Sequence, residues 1–164
     1  MMEILFPGLS ALQNVHPMLV HFPIAFFLGA LAMEGMAVFR DEKFHFIATW
    51  MLYLGALSAV VTLFSGFIAG GQAASLDPRG HHAPGHEFIH IHRNWMTVTT
   101  LWGLLLSTYL FWINKKVKWK SQRWGLLIGL ILLAALVSLG ADRGGRLVFE
   151  FGVGVNPERI KEGH

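Results

Sequence analysis

Apolar residues along the chain fall into four long blocks that are separated by short polar stretches. The blocks are residues 17–39, 45–71, 92–114 and 124–141. A helix that crosses the hydrocarbon core of a bilayer needs about 20 mostly apolar residues. The pattern therefore predicts an all-α fold, a four-helix transmembrane bundle. We expect one four-span membrane domain over residues 1–155 and a short polar tail over 156–164.

Each block also contains small residues four positions apart, a spacing that lets helix backbones approach closely in lipid. The pairs are Ala25/Gly29, Gly55/Ala59, Gly66/Gly70, Gly103/Ser107 and Gly125/Gly129. They predict a compact bundle.

The composition agrees with a membrane protein and narrows its chemistry. The 164 residues are 54% hydrophobic and 14% charged, whereas soluble domains carry about 25% charged residues. The absence of cysteine excludes disulfides, iron–sulfur clusters, thiolate metal ligands and covalently attached c-type haem. The net charge of +3 is small and its basic residues flank the apolar blocks, so we expect no nucleic-acid partner. No Lys or Arg precedes the first block, which predicts that the first span is an uncleaved insertion signal.

Basic residues in the short loops predict the orientation. The stretch KKVKWKSQRW between blocks three and four has five Lys or Arg, and RDEK between blocks one and two has two. Such loops usually remain in the cytoplasm. We therefore expect a multi-pass protein of the bacterial inner membrane, with both termini on the outer, periplasmic side. Four basic residues after block four oppose this bias, but they are less dense.

This orientation gathers seven of the nine histidines in the outer half, and leaves His45 at the cytoplasmic edge. The seven are His16, His21, His81, His82, His86, His90 and His92. His21 lies inside an apolar stretch, where ionisable residues usually face the bundle or a cavity. His81 and His82 lie among prolines and glycines, so we expect them in a solvated loop.

Histidines on different spans suit a haem b, which needs one imidazole from each of two helices. We expect His21 and His90 to be the axial ligands, with His16 and His92 as alternates or a second pair. Asn94 would share a helix face with His90. Arg143 and Arg146 lie at the same membrane level and would neutralise the haem propionates.

Zinc or copper is an alternative, because neutral imidazole suits both metals. Residues 86–90, HEFIH, match the H-E-x-x-H pattern of zinc peptidases, with His86 as a further ligand. That reading also needs a third ligand, for which Asp142 and Glu150 are candidates. A cofactor-free structural or assembly subunit is the other alternative, in which the histidines only form hydrogen bonds.

Two further features are less specific. Gly144 and Gly145 are expected to break or bend the fourth span, and the alternation from Leu147 to Phe151 predicts an extended or interfacial segment. Asp142 is expected to pair with nearby arginines. Glu34, inside the first span, is expected to snorkel or to form a hydrogen bond near the interface.

Three motifs resemble a known family. VHPMLVHFPIAFFLGA (15–30), HIHRNW (90–95) and GGRLVFEFGVGV (144–155) are similar to the bacterial membrane family called domain of unknown function 2231. The resemblance implies four spans and no established activity, and relatives look like partners of redox systems. The matching positions are His16, Pro17, His21, Pro23, His90, Asn94, Gly144, Gly145, Leu147, Val148, Gly152 and Gly154. Members often carry a His or Tyr where this chain has Phe151, so a ligand from that side chain is absent here.

The sequence therefore predicts an integral membrane, b-type cytochrome-like electron-transfer subunit rather than a stand-alone enzyme. Its expected surroundings are the lipid bilayer and other membrane or periplasmic redox subunits, with quinol as a candidate electron donor.

Overall fold

The computed structural model describes residues 14–76, 85–116 and 119–154. These residues form α1 (His16–Leu19), α2 (His21–Phe39), α3 (Phe44–Leu76), α4 (His86–Lys115) and α5 (Trp119–Phe149). Across the described ranges there is no strand, and four spans are long and apolar enough to cross a membrane when α1 and α2 count as one. The predicted four-span all-α fold is confirmed. The orientation and the domain boundaries stay predictions, and His81, His82 and the tail at 156–164 lie outside the described residues.

Two prolines shape the start of the first span. Pro17 is in the first turn of α1, where a backbone N–H would have no acceptor within the helix, so its absence costs nothing. Pro23 is in the first turn of α2 and cannot donate to the carbonyl of Leu19, four residues earlier. The hydroxyl of Thr62 on α3 donates to that carbonyl instead, at 3.2 Å. A contact between spans thus replaces the lost helical hydrogen bond.

The spans pack in a closed ring, in which α2 and α4 each contact both α3 and α5. Phe27, only 1% exposed, fills the centre. Its ring lies so close to Gly55 on α3 and Gly103 on α4 that an added Cβ would meet it at 2.6 and 2.7 Å. At these two glycines the ring of Phe27 fills the space that a side chain would take. Ala25, by contrast, is exposed on the outside of the bundle.

The outer surface is apolar along the length of the helices. Leu57, Phe64, Leu105 and Ile128 are each between 61% and 68% exposed. So much exposed apolar surface would be unfavourable in water, whereas lipid tails accommodate it. The bundle is therefore built to lie in a bilayer.

The predicted break at Gly144 and Gly145 is wrong, because α5 continues through both to Phe149. Packing explains Gly144, where an added Cβ would lie 3.0 Å from Cε1 of His92. The chain leaves the helix at Gly152, whose φ of +64° favours glycine. The amide of Gly152 donates to the carbonyl of Val148 at 3.1 Å. The expected extended segment from Leu147 is accordingly helical up to Phe149.

Candidate functional site

Polar side chains are concentrated at the two ends of the bundle. The His16 end comprises residues 14–23, 62–76, 85–97 and 138–154, and the His45 end comprises residues 34–50, 109–116 and 119–124. Both ends combine residues from different spans.

His16 is fixed against α3. Its Nδ1 is 3.0 Å from Oγ of Ser65, and the Ser65 hydroxyl donates to the carbonyl of Thr62 at 2.8 Å. Because that donation uses the only hydroxyl proton, the Ser65 oxygen accepts from Nδ1–H of His16. The tautomer assigned from these partners leaves a free electron pair on Nε2. Gly66 makes the approach possible, since an added Cβ there would lie 2.9 Å from Cε1 of His16.

His92 is held in the same way against α5. Its Nδ1 is 3.0 Å from the carbonyl oxygen of Gly140, which can only accept, so Nδ1 carries a proton and Nε2 of the neutral ring keeps its electron pair. Its ring packs on Gly144, as His16 packs on Gly66. His92 is also close enough to His16 and Arg143 to interact with them electrostatically. Two imidazoles, one from the first span and one from the third, therefore share the same assigned tautomer at this end of the bundle.

The two histidines predicted as axial ligands have different surroundings. His21 is exposed, and its Nδ1 donates to the carbonyl of Met18 in its own turn at 3.2 Å. Nδ1 of His90 is 2.6 Å from the guanidinium of Arg93, which can only donate. Nε2–H of His90 therefore donates to Nε2 of His86, at 3.1 Å. Both nitrogens of His90 are committed within α4, so these contacts favour the alternates His16 and His92.

The remaining predicted residues lie around this pair. Asn94 is exposed on α4. The guanidinium of Arg143 lies 4.2 Å from the centre of the Trp95 ring and donates to the carbonyl of Leu139 at 2.7 Å. Arg143 is close enough to His92 to act on it electrostatically.

Arg146 forms hydrogen bonds with Glu150, and its expected partner Asp142 acts on it electrostatically. Its Nε and one terminal nitrogen donate to the two carboxylate oxygens at 3.0 and 2.8 Å. These hydrogen bonds lower the pKa of the exposed Glu150 carboxyl. Phe151 stacks on Phe88 with ring centres 4.9 Å apart.

The HEFIH motif is helical, and its two histidine rings contact each other one turn apart. Glu87 is exposed. Within residues 14–76, 85–116 and 119–154, no group of three or more His, Asp or Glu side chains is arranged to hold a metal ion. A zinc or copper site stays a prediction without a third ligand in that part of the chain.

A second polar cluster, at the His45 end, was missed. The Glu34 carboxylate is 0% exposed and accepts hydrogen bonds from Nδ1 of His45 and Nε1 of Trp119, both at 2.7 Å. Nε2 of His45 donates to Oδ1 of Asn114 at 3.0 Å. Glu34 was expected either to snorkel or to form a hydrogen bond near the interface. It does form hydrogen bonds, but from a buried position. Its place inside an apolar span was the available signal for a partner on another span.

Comparison with known families gives one match. The family model described as "Predicted membrane protein (DUF2231)" matches residues 12–157. No curated protein and no solved structure matches the chain. The matched range includes all five helices and both polar ends. The chain belongs to this family of predicted membrane proteins, domain of unknown function 2231, as its histidine and glycine motifs indicated.

Proposed function

We propose that the protein is a b-type cytochrome-like electron-transfer subunit in which His16 and His92 bind haem b. One observation carries the proposal. Both histidines donate through Nδ1 and leave the electron pair of Nε2 free, on two different spans. Histidines that bind metals almost always donate their other ring N–H to a carbonyl or a similar acceptor, which fixes the ring. The donor set at the His16 end fits a bis-His haem.

A bound haem would supply one-electron redox chemistry, with a potential that depends on its axial ligands and their hydrogen bonds. The chain's own residues orient the two rings. Ser65 and Gly140 accept from the ligand histidines, and Gly66 and Gly144 let the rings lie against α3 and α5. Arg143 supplies a cation beside His92.

We also propose that the His16 end faces the periplasm of a bacterial inner membrane. The support is the dense basic stretch at residues 115–123, at the other end of the bundle, together with the positive-inside rule. Electron exchange would then occur with other membrane or periplasmic redox subunits, and quinol is a candidate donor.

The test is the absorption spectrum of protein purified after expression with ample haem. We expect a dithionite-reduced α-band typical of haem b, which His16→Ala and His92→Ala both abolish. His81→Ala, in the stretch that the sequence predicts to be a solvated loop, is the matched control and should keep the band. Colourless wild-type protein would refute the proposal. A band that depends on His21 and His90, and not on His16, would refute this ligand pair in favour of the first one predicted.

A cofactor-free structural or assembly subunit is the second candidate, and the packing of the His16 end favours it. Both rings already lie directly against glycines. In the described part of the chain, no buried side-chain nitrogen or oxygen lacks a hydrogen-bond partner. This candidate predicts co-purifying membrane partners and no absorption band.

A further inference from the structure

A cleft of about 650 Å³ opens at the His45 end, beside the buried Glu34 cluster. This volume lies within the roughly 300–1,000 Å³ of small-molecule sites. The walls combine the aromatic rings of Trp50, Tyr53 and Trp119 with the polar side chains of His45 and Asn114. The cleft is thus apolar on its flat faces and polar at a few points, as ligand sites usually are.

The charges at the rim of the cleft are already paired. Lys43 lies 2.9 Å from Asp41, and Lys120 lies 2.8 Å from Glu42. Inside, the Glu34 carboxylate is occupied by its two donors. The described residues that line the cleft therefore offer no uncompensated charge to an ion, and a neutral ligand suits it better than an anionic headgroup.

Two hydrogen-bond donors of the cleft remain available for a ligand. No described residue forms a hydrogen bond with the Tyr53 hydroxyl, which belongs to the cleft wall. The amide nitrogen of Asn114 has only a long contact, 3.4 Å, with Oγ1 of Thr49. His45 is less available, because both of its ring nitrogens are bonded within the cluster. A ligand with oxygen acceptors would satisfy the free donors.

The cleft can be reached from the bilayer. Phe46 and Trp50, on the cleft side of α3, are 69% and 54% exposed on the outside of a membrane-spanning bundle. Aromatic side chains at such a position favour contact with a flat apolar ring. A ligand dissolved in lipid would enter sideways between these residues.

We propose that this cleft binds a neutral, lipid-soluble, flat conjugated ring that carries carbonyl oxygens as hydrogen-bond acceptors, which is the chemistry of a quinone headgroup. The ring packs against Trp50, and its oxygens accept from Tyr53 and Asn114. The site lies at the opposite end of the bundle from His16 and His92 and does not depend on a haem there.

Binding is measured by isothermal titration calorimetry of the purified full chain in detergent, with a decyl-substituted para-benzoquinone and a methyl-naphthoquinone as probes. Empty micelles correct for partition into detergent. We expect saturable binding of at least one probe. Tyr53→Phe, which removes only one donor, should weaken it about 5-fold.

Trp50→Leu should weaken binding about 10-fold. Its matched control is Trp124→Leu, because Trp124 is similarly exposed, 50% against 54%, near the same end but outside the cleft wall. The control should bind as the wild type does. Size-exclusion elution and far-UV circular dichroism check that each variant is folded.

Three results would overturn the proposal. The first is that neither quinone binds saturably to the wild type. The second is that Trp124→Leu weakens binding as much as Trp50→Leu, because equal effects would indicate adsorption to the apolar surface. The third is displacement of the quinone by a short-chain anionic phospholipid at equal concentration, which would make the cleft a lipid headgroup site. If Trp50→Leu fails to fold, the nearly isosteric Tyr53→Phe decides: unchanged affinity in that variant removes the role of the hydroxyl donor and the proposal with it.

Discussion

Replacing His45 with leucine should lower the free energy of unfolding by about 3–5 kcal/mol, because it leaves the buried Glu34 carboxylate without its partner. The contacts of His45 lead to a similar figure. The 2.7 Å hydrogen bond to Glu34 is worth about 1.5–3 kcal/mol, and the 3.0 Å bond to Asn114 about 0.5–1.5 kcal/mol. The ring contact with Trp119, at 4.6 Å between centres, adds about 0.5–1.5 kcal/mol. Solvent screening is weak, since the two side chains are 13% and 0% exposed.

The assay is the unfolding midpoint in detergent, followed by far-UV circular dichroism as sodium dodecyl sulfate or temperature rises. The double variant Glu34→Leu/His45→Leu should recover part of the loss, because no buried carboxylate is left unpaired, although Nε1–H of Trp119 loses its acceptor. Lys43→Ala is the control, since it breaks only an exposed pair with Asp41 and should not move the midpoint. A shift in His45→Leu no larger than that of the control would refute the reasoning. Failure of the double variant to recover would show that shape, not charge, controls the site.

Two further predictions concern the end of α5. Gly144→Ala should cost about 1–3 kcal/mol, because the new Cβ meets Cε1 of His92 at 3.0 Å. Gly145→Ala, whose Cβ would have no neighbour closer than 4.0 Å, should be neutral or stabilise the helix by up to about 1 kcal/mol in the same unfolding assay; equal effects would contradict the contact with His92. The pKa of Glu150 is lowered by Arg146, so the stabilisation from this pair is present above the ordinary carboxyl pKa and is lost as the pH falls through the lowered value. Between about pH 6 and about pH 3 the wild type should therefore lose more thermal stability than Glu150→Gln, and parallel pH profiles would count against the pair.

The spans could be predicted because they depend on local composition. Each needs only a long apolar run, and the runs are visible without knowledge of neighbours. The ends of the helices were harder, because they depend on contacts between spans. Pro23 predicts that the carbonyl of Leu19 lacks its helical hydrogen bond, but the sequence does not indicate that Thr62 is the donor that replaces it. Gly144 was interpreted as a helix breaker, because the sequence does not show that the ring of His92, on another helix, packs against it.

The choice among the histidines also depended on tertiary partners. His21 stands out in the sequence because its neighbours are apolar, yet an apolar neighbourhood is equally compatible with an exposed position on a helix in lipid. His90 fits a haem by depth, but Arg93, three residues later, occupies its Nδ1. Which ring nitrogen carries the proton is decided by Ser65 for His16 and by Gly140 for His92, and these partners lie 49 and 48 positions away along the chain.

The protonation of the rings suggests a division between the two ends of the bundle. At the His45 end, both nitrogens of His45 are bonded to protein atoms, so this ring can stabilise the fold but has no electron pair left for a metal. At the His16 end, His16 and His92 each retain one, because their acceptors engage only Nδ1. The two Nε2 atoms support the proposed iron site at the His16 end, whereas a ligand that is held by hydrogen bonds and ring packing suits the cleft at the His45 end. If both proposals hold, the two sites lie at opposite ends of the same four spans, and loss of one by substitution should leave binding at the other intact.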